Sequence, residues 1–221
     1  SASAIIPPAV SMLEKPYRLE LAKNVSAPSY NAEQASGFAQ AGFANLQVSN
    51  LTELTVIIPA DTPASQVFSY VSQVWQKDLK IYFKVELLET DEYQRRLTSG
   101  DFDCAVLQLS GDYNSPAAFL SRFEEMENYG ISIPGLSDLL KQASRGTMEQ
   151  SAAAYCQAEQ LILNSGVFLP LFYQTILILA VNAFGGFSTV MQTAGITKRS
   201  SFGIKKYICG KLLLTVLTCL H

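Results

Sequence analysis

The stretch Gly100–Phe123 reads GDFDCAVLQLSGDYNSPAAFLSRF, and its interpretation decides the fold. Gly100 and two carboxylates, Asp101 and Asp103, open it. A nearly unbroken apolar run follows from Phe102 to Leu109. A run apolar on both faces and bounded by turn residues fits the central strand of a parallel sheet. The polar turn Ser110-Gly111-Asp112-Tyr113-Asn114-Ser115-Pro116 comes next, with a helical segment from Ala117. Asn114 or Ser115 suits an N-cap and Pro116 the first helical position. In open α/β sheets ligands sit beyond the carboxyl ends of the strands, where Asp112 falls.

Outward from this stretch, strand and helix periods alternate. Glu53–Pro59 reads as a strand. Asp61-Thr62-Pro63 starts a helix running to about Leu79, with Val67, Phe68, Val71, Val74, Trp75 and Leu79 on one face. Ile81–Leu88 alternates, with Ile81, Phe83, Val85 and Leu87 on the drier side. Asp91 caps a short helix that Gly100 ends. Strand, helix, strand, helix, strand predicts an α/β fold: a mainly parallel sheet with right-handed crossovers and helices on both faces.

The remainder is more varied. Residues 1–29 are rich in Pro, Ser and Ala and read as irregular. Asn31 caps a helix over Ala32–Ala41, with Gly42 just past its end. Helices are predicted to run from Pro116 to about Glu125, over Pro134–Ser144 and over Met148–Leu163, the last burying Ala154, Ala158, Leu161 and Ile162. Val167–Val181 is β-rich, and Pro170 within it implies an edge, a bulge or a crossing point. From Gly185 glycines punctuate a mixed tail, expected to pack less well than the body. The chain therefore divides at 1–181 and 182–221.

Composition narrows the function. The 221 residues are 48% hydrophobic with net charge −3, and no basic run exceeds Lys205-Lys206, so nucleic acid is not an expected partner. Ile5-Ile6 is followed at once by Pro7-Pro8, so no secretory leader is read at the start, and no apolar run approaches the ~20 residues of a membrane span. The only histidine is His221, which argues against histidine triads and multi-histidine metal sites. The four cysteines form no C-x-x-C, and Cys104 and Cys156 read as small core residues. Asp101 and Asp103 lie at the amino end of their strand and read as turn and cap residues, and Glu124-Glu125 with Glu127 as a solvated helix end. No catalytic set, metal site or cofactor motif is read. Asp112 is open to two readings, an Asx-turn residue or a fixed charge that accepts a ligand ammonium.

GDFDCAVLQLSGDYNSPAAFL resembles the GxFDxxxxxxxxDYxxPxxFL signature of the peptide-binding proteins of ABC importers, the oligopeptide and dipeptide solute-binding family 5. IIPP, SYNAEQASGFAQAGF, VSQVWQKDLKIYFKVEL and AAYCQAEQLILNSGVFLPLFYQ resemble further family segments in the right order, from about Ile5 to about Val181. The resemblance covers the second lobe and the start of the return segment, and fades after Gly186. It implies one lobe of a periplasmic-binding-protein-like clamshell, outside the cytoplasm in the periplasm or at the outer cell surface, with a membrane anchor on the full-length protein. It implies two partners, a peptide ligand and the membrane permease of an ABC importer. Asp112 would pair with the peptide ammonium. Gln108, Leu109 and Ser110 would offer backbone groups by β-augmentation, with Gly111 and Tyr113 flanking the aspartate. Other ligands known to the family are nickel complexes, haem and oligosaccharides. A lobe kept for interaction alone is a second class of function. A carboxylate hydrolase is a third, but it needs a second acid within about 5–10 Å, and the sequence names none for Asp112.

Overall fold

A computed structural model describes residues 2–49 and 53–173, and the backbone alone of 174, 178–181, 187–190 and 213–219. Most of the expected tail, including its glycines and His221, lies outside the described residues. The elements are β1 (Ser11–Met12), β2 (Lys15–Pro16), α1 (Ala32–Asn45), β3 (Glu53–Pro59), α2 (Ala64–Leu79), β4 (Tyr82–Leu88), α3 (Thr90–Ser99), β5 (Cys104–Ser110), α4 (Pro116–Leu120), α5 (Leu136–Arg145), α6 (Met148–Asn164), β6 (Phe168–Gln174), β7 (Ile178–Val181), β8 (Phe187–Val190) and β9 (Leu213–Cys219). They fall into two compact units, and β5 crosses from one to the other between Leu107 and Gln108.

The unit built on 28–107 and 128–131 holds the βαβαβ pattern. β3 pairs in parallel with β4 from Glu53↔Tyr82 to Pro59↔Leu88, and with β5 at Val56↔Cys104 and Ile57↔Ala105. The crossovers β3–β4 and β4–β5 therefore run in opposite directions, so right-handed connections place α2 and α3 on opposite faces. Side chains agree. Phe83 of β4 packs on Phe68 and Trp75 of α2, with ring centroids at 5.2 and 5.3 Å. The next-face residue Glu86 instead bonds Arg96 of α3 at 2.7 Å. Val56, Ile57 and Ile58 are fully buried, as a strand covered on both sides requires.

Four expectations in this unit are corrected. Val85 and Leu87 belong to the side read as drier, yet they are 42% and 55% exposed. Alternation marks a strand but not the reach of its cover, and the contacts of α2 with β4 centre on Phe83. Val74 is exposed for the same reason. α1 continues through Gly42 to Asn45 because Phe43 and Ala44 sustain the helix, and the chain reverses later, at Gln47 with φ +56°. Asn31 does cap α1, accepting from the Gln34 N–H at 2.9 Å. Glu89, and not Asp91, precedes the first turn of α3.

The other unit comprises 1–27, 108–127 and 132–216. Its opening segment is more ordered than the composition predicts. β1 and β2 form a hairpin closed by Leu13 and Glu14, both at positive φ, +53° and +65°. One wide helical turn follows, Tyr17–Leu21, closed by the Ala22 N–H on the Tyr17 carbonyl at 2.9 Å. This turn aims Arg18 inward. Its guanidinium donates to the carbonyls of Ile6, Ala22 and Val25 at 3.0, 3.2 and 2.9 Å and pairs with Glu159 of α6. Glu159 is fully buried, and the same carboxylate oxygen accepts the N–H groups of Ile5 and Ile6, each at 2.9 Å. Burial pushes its pKa up, against the opposing pull of Arg18 and the two amides.

The core of this unit is Ile5, Ile6, Tyr17, Leu120, Phe123, Ile162 and Phe168, with Phe123 edge-on to Phe168 at 4.8 Å. α6 begins with a capping box, Thr147 with Gln150. Ala154, Ala158 and Ile162 are buried as expected, whereas Leu161 is half-buried beside Gly135. The helix expected to run from Pro116 to Glu125 stops at Leu120 and tightens into a 3₁₀ turn, Ser121–Phe123.

Glu159→Gln should lower stability by about 3–5 kcal/mol, because it leaves the Arg18 charge buried without its counter-ion. Urea unfolding followed by circular dichroism measures this. A loss below about 1 kcal/mol would mean that Arg18 finds enough stabilisation in its carbonyl partners alone. Replacing Leu13 with Asn and Glu14 with Gly should instead raise the midpoint, since non-glycine residues at positive φ cost roughly 1–2 kcal/mol each.

Candidate functional site

Asp112 follows the carboxyl end of β5, and its side chain is 66% exposed. Three contacts set the loop that carries it. Gly111 is buried against the Phe119 ring of α4, and a Cβ at this position would lie 2.5 Å from Phe119 Cε2. Only glycine permits that approach. Asn114 Oδ1 accepts the Ser11 N–H at 2.8 Å, tying the loop to the β1–β2 hairpin. Ser115 caps α4 by accepting the Ala117 N–H at 3.3 Å, with Pro116 in the first turn. Of the two cap candidates Ser115 takes the role, and Asn114 is used for anchoring.

The Asp112 carboxylate is engaged by Arg122 Nη2 from the 3₁₀ turn. Arg122 Nη1 simultaneously holds Glu125, at 2.9 and 3.3 Å to its two oxygens. Arg122 and Glu125 are the site residues that sequence reasoning missed. Their i, i+3 spacing was a usable signal for the pair, but nothing in sequence brings Arg122 back to a residue ten positions earlier. Among the other named residues, Gln108 and Tyr113 are exposed, Ser110 is half-buried and Leu109 is buried. Gln108, Leu109 and Ser110 end β5, and Gly111, Asp112 and Tyr113 follow in the loop.

Asp101 and Asp103 are used structurally. Asp103 accepts the Thr55 N–H at 2.7 Å and Asp101 pairs with Arg96 at 3.0 Å. Cys104 is buried but disulfide-bonded, which corrects its reading as a plain core residue, and Cys156 is free, with a thiol whose pKa burial raises. A cavity of about 110 Å³ lies between Phe123 and the start of α5, lined by Glu124, Glu127, Ser132 and Asp138 among others. That is well below the ~300–1,000 Å³ of typical ligand pockets. Among the described residues no group of three or more His, Cys, Asp or Glu is placed to hold a metal, and no helix is long and apolar enough to cross a membrane.

No family model matches the chain. It is 26% identical over 127 residues to the periplasmic murein peptide-binding protein MppA of Escherichia coli K12, covering 56% of this chain and 24% of that protein. It is 22% identical over 134 residues to the oligopeptide-binding protein OppA of Bacillus subtilis 168, covering 58% and 25%. The chain resembles part of a peptide-binding protein of ABC importers. The substrate-binding domain of an oligopeptide ABC transporter from Bacillus anthracis shares its fold, with TM-score 0.63 at 21% identity over 74% of this chain and 33% of that one. The lobe of a periplasmic-binding-protein-like fold expected from the sequence is therefore observed. The chain spans about a quarter of the length of the curated relatives it matches.

Gly111→Ala should cost about 1–3 kcal/mol, because the added methyl forces the Phe119 ring from its place. Thermal unfolding reads the loss, and Phe119→Leu in the same background should recover part of it by making room. An unchanged melting temperature in Gly111→Ala would show that the loop tolerates displacement.

Proposed function

We propose that this chain is the ligand-binding lobe, within 1–181, of an extracytoplasmic peptide-binding protein that delivers peptides to the permease of an ABC importer. Residues 182–221 are then a C-terminal tail or return segment, and a membrane anchor belongs to the full-length protein. The single observation behind this reading is the exposed Asp112 carboxylate at the end of β5, on a loop that Gly111, Asn114 and Ser115 fasten from three sides. The names of the relatives, murein peptide-binding and oligopeptide-binding, support it.

The chemistry follows from the charges. Asp112 accepts the α-ammonium of the peptide in a charge-assisted hydrogen bond. Gln108, Leu109 and Ser110 supply main-chain groups that read the peptide backbone irrespective of side chains, and Tyr113 offers an exposed ring beside the aspartate. Arg122 pairs with Asp112, so an incoming ammonium competes with a guanidinium. Glu125 already holds the other guanidinium nitrogen, so Arg122 can release Asp112 without losing all of its pairing.

Asp112→Asn should weaken binding of peptides with a free amino terminus while leaving N-acetylated peptides unchanged, as measured by calorimetry with matched pairs. Equal loss for both would remove ammonium pairing from the role of Asp112. Arg122→Gln should tighten binding of the unblocked peptide by about two- to fivefold, the scale of an exposed ion pair released from competition. Weaker binding in that variant would mean that Arg122 supports the site and does not compete for it.

A further inference from the structure

We propose that the outer edge of β4 is a self-association surface, and that its occupant is β4 of a second copy of this chain, paired antiparallel about Val85. The inference does not depend on the peptide-binding reading. β4 pairs along its whole length with β3, and among the described strands nothing pairs with its other edge. An edge strand of seven residues presents unpaired N–H and C=O groups to any strand of matching pattern. Tyr82, Val85 and Leu87 are 52%, 42% and 55% exposed there. Edge strands are usually guarded by unbalanced charge, but here Lys84 and Glu86 carry opposite signs two residues apart on one face.

That spacing makes YFKVELL self-complementary. With Val85 on a two-fold axis, Lys84 faces the partner's Glu86, Glu86 faces the partner's Lys84, and Phe83 faces the partner's Leu87. Residues directly opposite in an antiparallel pair share a face, so both salt-bridged pairs lie on the α3 side and the apolar pairs on the α2 side. A one-residue slip turns one sheet over and mismatches the faces. A two-residue slip in either direction sets Lys84 against the partner's Lys84, or Glu86 against the partner's Glu86. Among these neighbouring registers, only the one centred on Val85 pairs opposite charges. Within one chain Glu86 Oε1 pairs with Lys84 at 2.8 Å and Oε2 with Arg96 at 2.7 Å, so in the dimer Lys84 exchanges its own Glu86 for the partner's while Arg96 keeps its hold. The arrangement is isologous, so it closes at two copies and does not propagate.

The test uses the whole chain. Sedimentation velocity across a concentration series should show a reversible dimer. Val85→Lys places two ammonium groups on the axis, and Lys84→Glu sets carboxylates opposite the partner's Glu86. Each should raise the dimer dissociation constant by about tenfold or more, since like charges directly opposite one another are destabilising. Circular dichroism matching the parent verifies the fold of each variant. Independently, Val85→Cys should form a disulfide-linked dimer on mild oxidation, above the level given by the parent chain's own cysteines, and Leu87→Cys should not, because only the axial residue meets itself. A monomer at every concentration overturns the proposal. So does a dimer that Val85→Lys and Lys84→Glu leave intact, or cross-linking as efficient at position 87 as at 85.

Discussion

The unit that carries Asp112 depends on one buried ion pair, Arg18 with Glu159. Glu159 is fully buried, and a single oxygen of its carboxylate receives Arg18 and the amides of Ile5 and Ile6. Arg18 in turn donates to the carbonyls of Ile6, Ala22 and Val25 and lies over the Tyr17 ring. Such a pair gives little net stability compared with apolar residues of the same size, but its loss on one side is costly. What it does is choose one path for residues 2–27, a stretch that regular structure constrains only at the β1–β2 hairpin and one helical turn. The path matters because the hairpin reaches Asn114 through the Ser11 amide, and Asn114 belongs to the loop that bears Asp112.

A chain of dependence therefore runs from α6 to the site. α6 places Glu159, Glu159 and Arg18 place the opening segment, the hairpin steadies Asn114, and Ser115 and Gly111 complete the loop. The exposed carboxylate is presented by a loop fastened at three points, which limits the conformations of its backbone. Arg122 pairs with the Asp112 carboxylate and with Glu125 at once. The parallel sheet of the other unit uses its carboxylates differently. Asp103 receives the Thr55 amide of β3 and Asp101 holds Arg96, so acids close to β5 in sequence are spent on architecture.

The βαβαβ order, the bounds of β3 and α2, and the place of Asp112 after β5 were legible in the sequence. Each rests on a local rule, namely a two- or 3.6-residue period, a cap, or a glycine at a helix end, and local rules act over one or two turns of chain. Gly100 illustrates this: its left-handed conformation, φ +70°, ends α3 where the sequence placed the end. The β4 alternation correctly marked a strand. Which of its faces was covered depended on α2, packed from elsewhere, and this left Val85 and Leu87 exposed.

Tertiary structure alone decided the rest. The pairings Arg18–Glu159, Ser11–Asn114 and Asp112–Arg122 join residues 141, 103 and 10 positions apart. No periodicity encodes such distances. The requirement for Gly111 was invisible too, since the residue is not in the left-handed region and owes its identity to the Phe119 ring that lies against it. The sequence by itself determined that a carboxylate would follow a buried strand. Its exposure was also expected, from its place after the strand's carboxyl end. The fold decided that it would sit on a fastened loop already paired with an arginine, because ion pairing is a property of what packs nearby and not of what is adjacent in the chain.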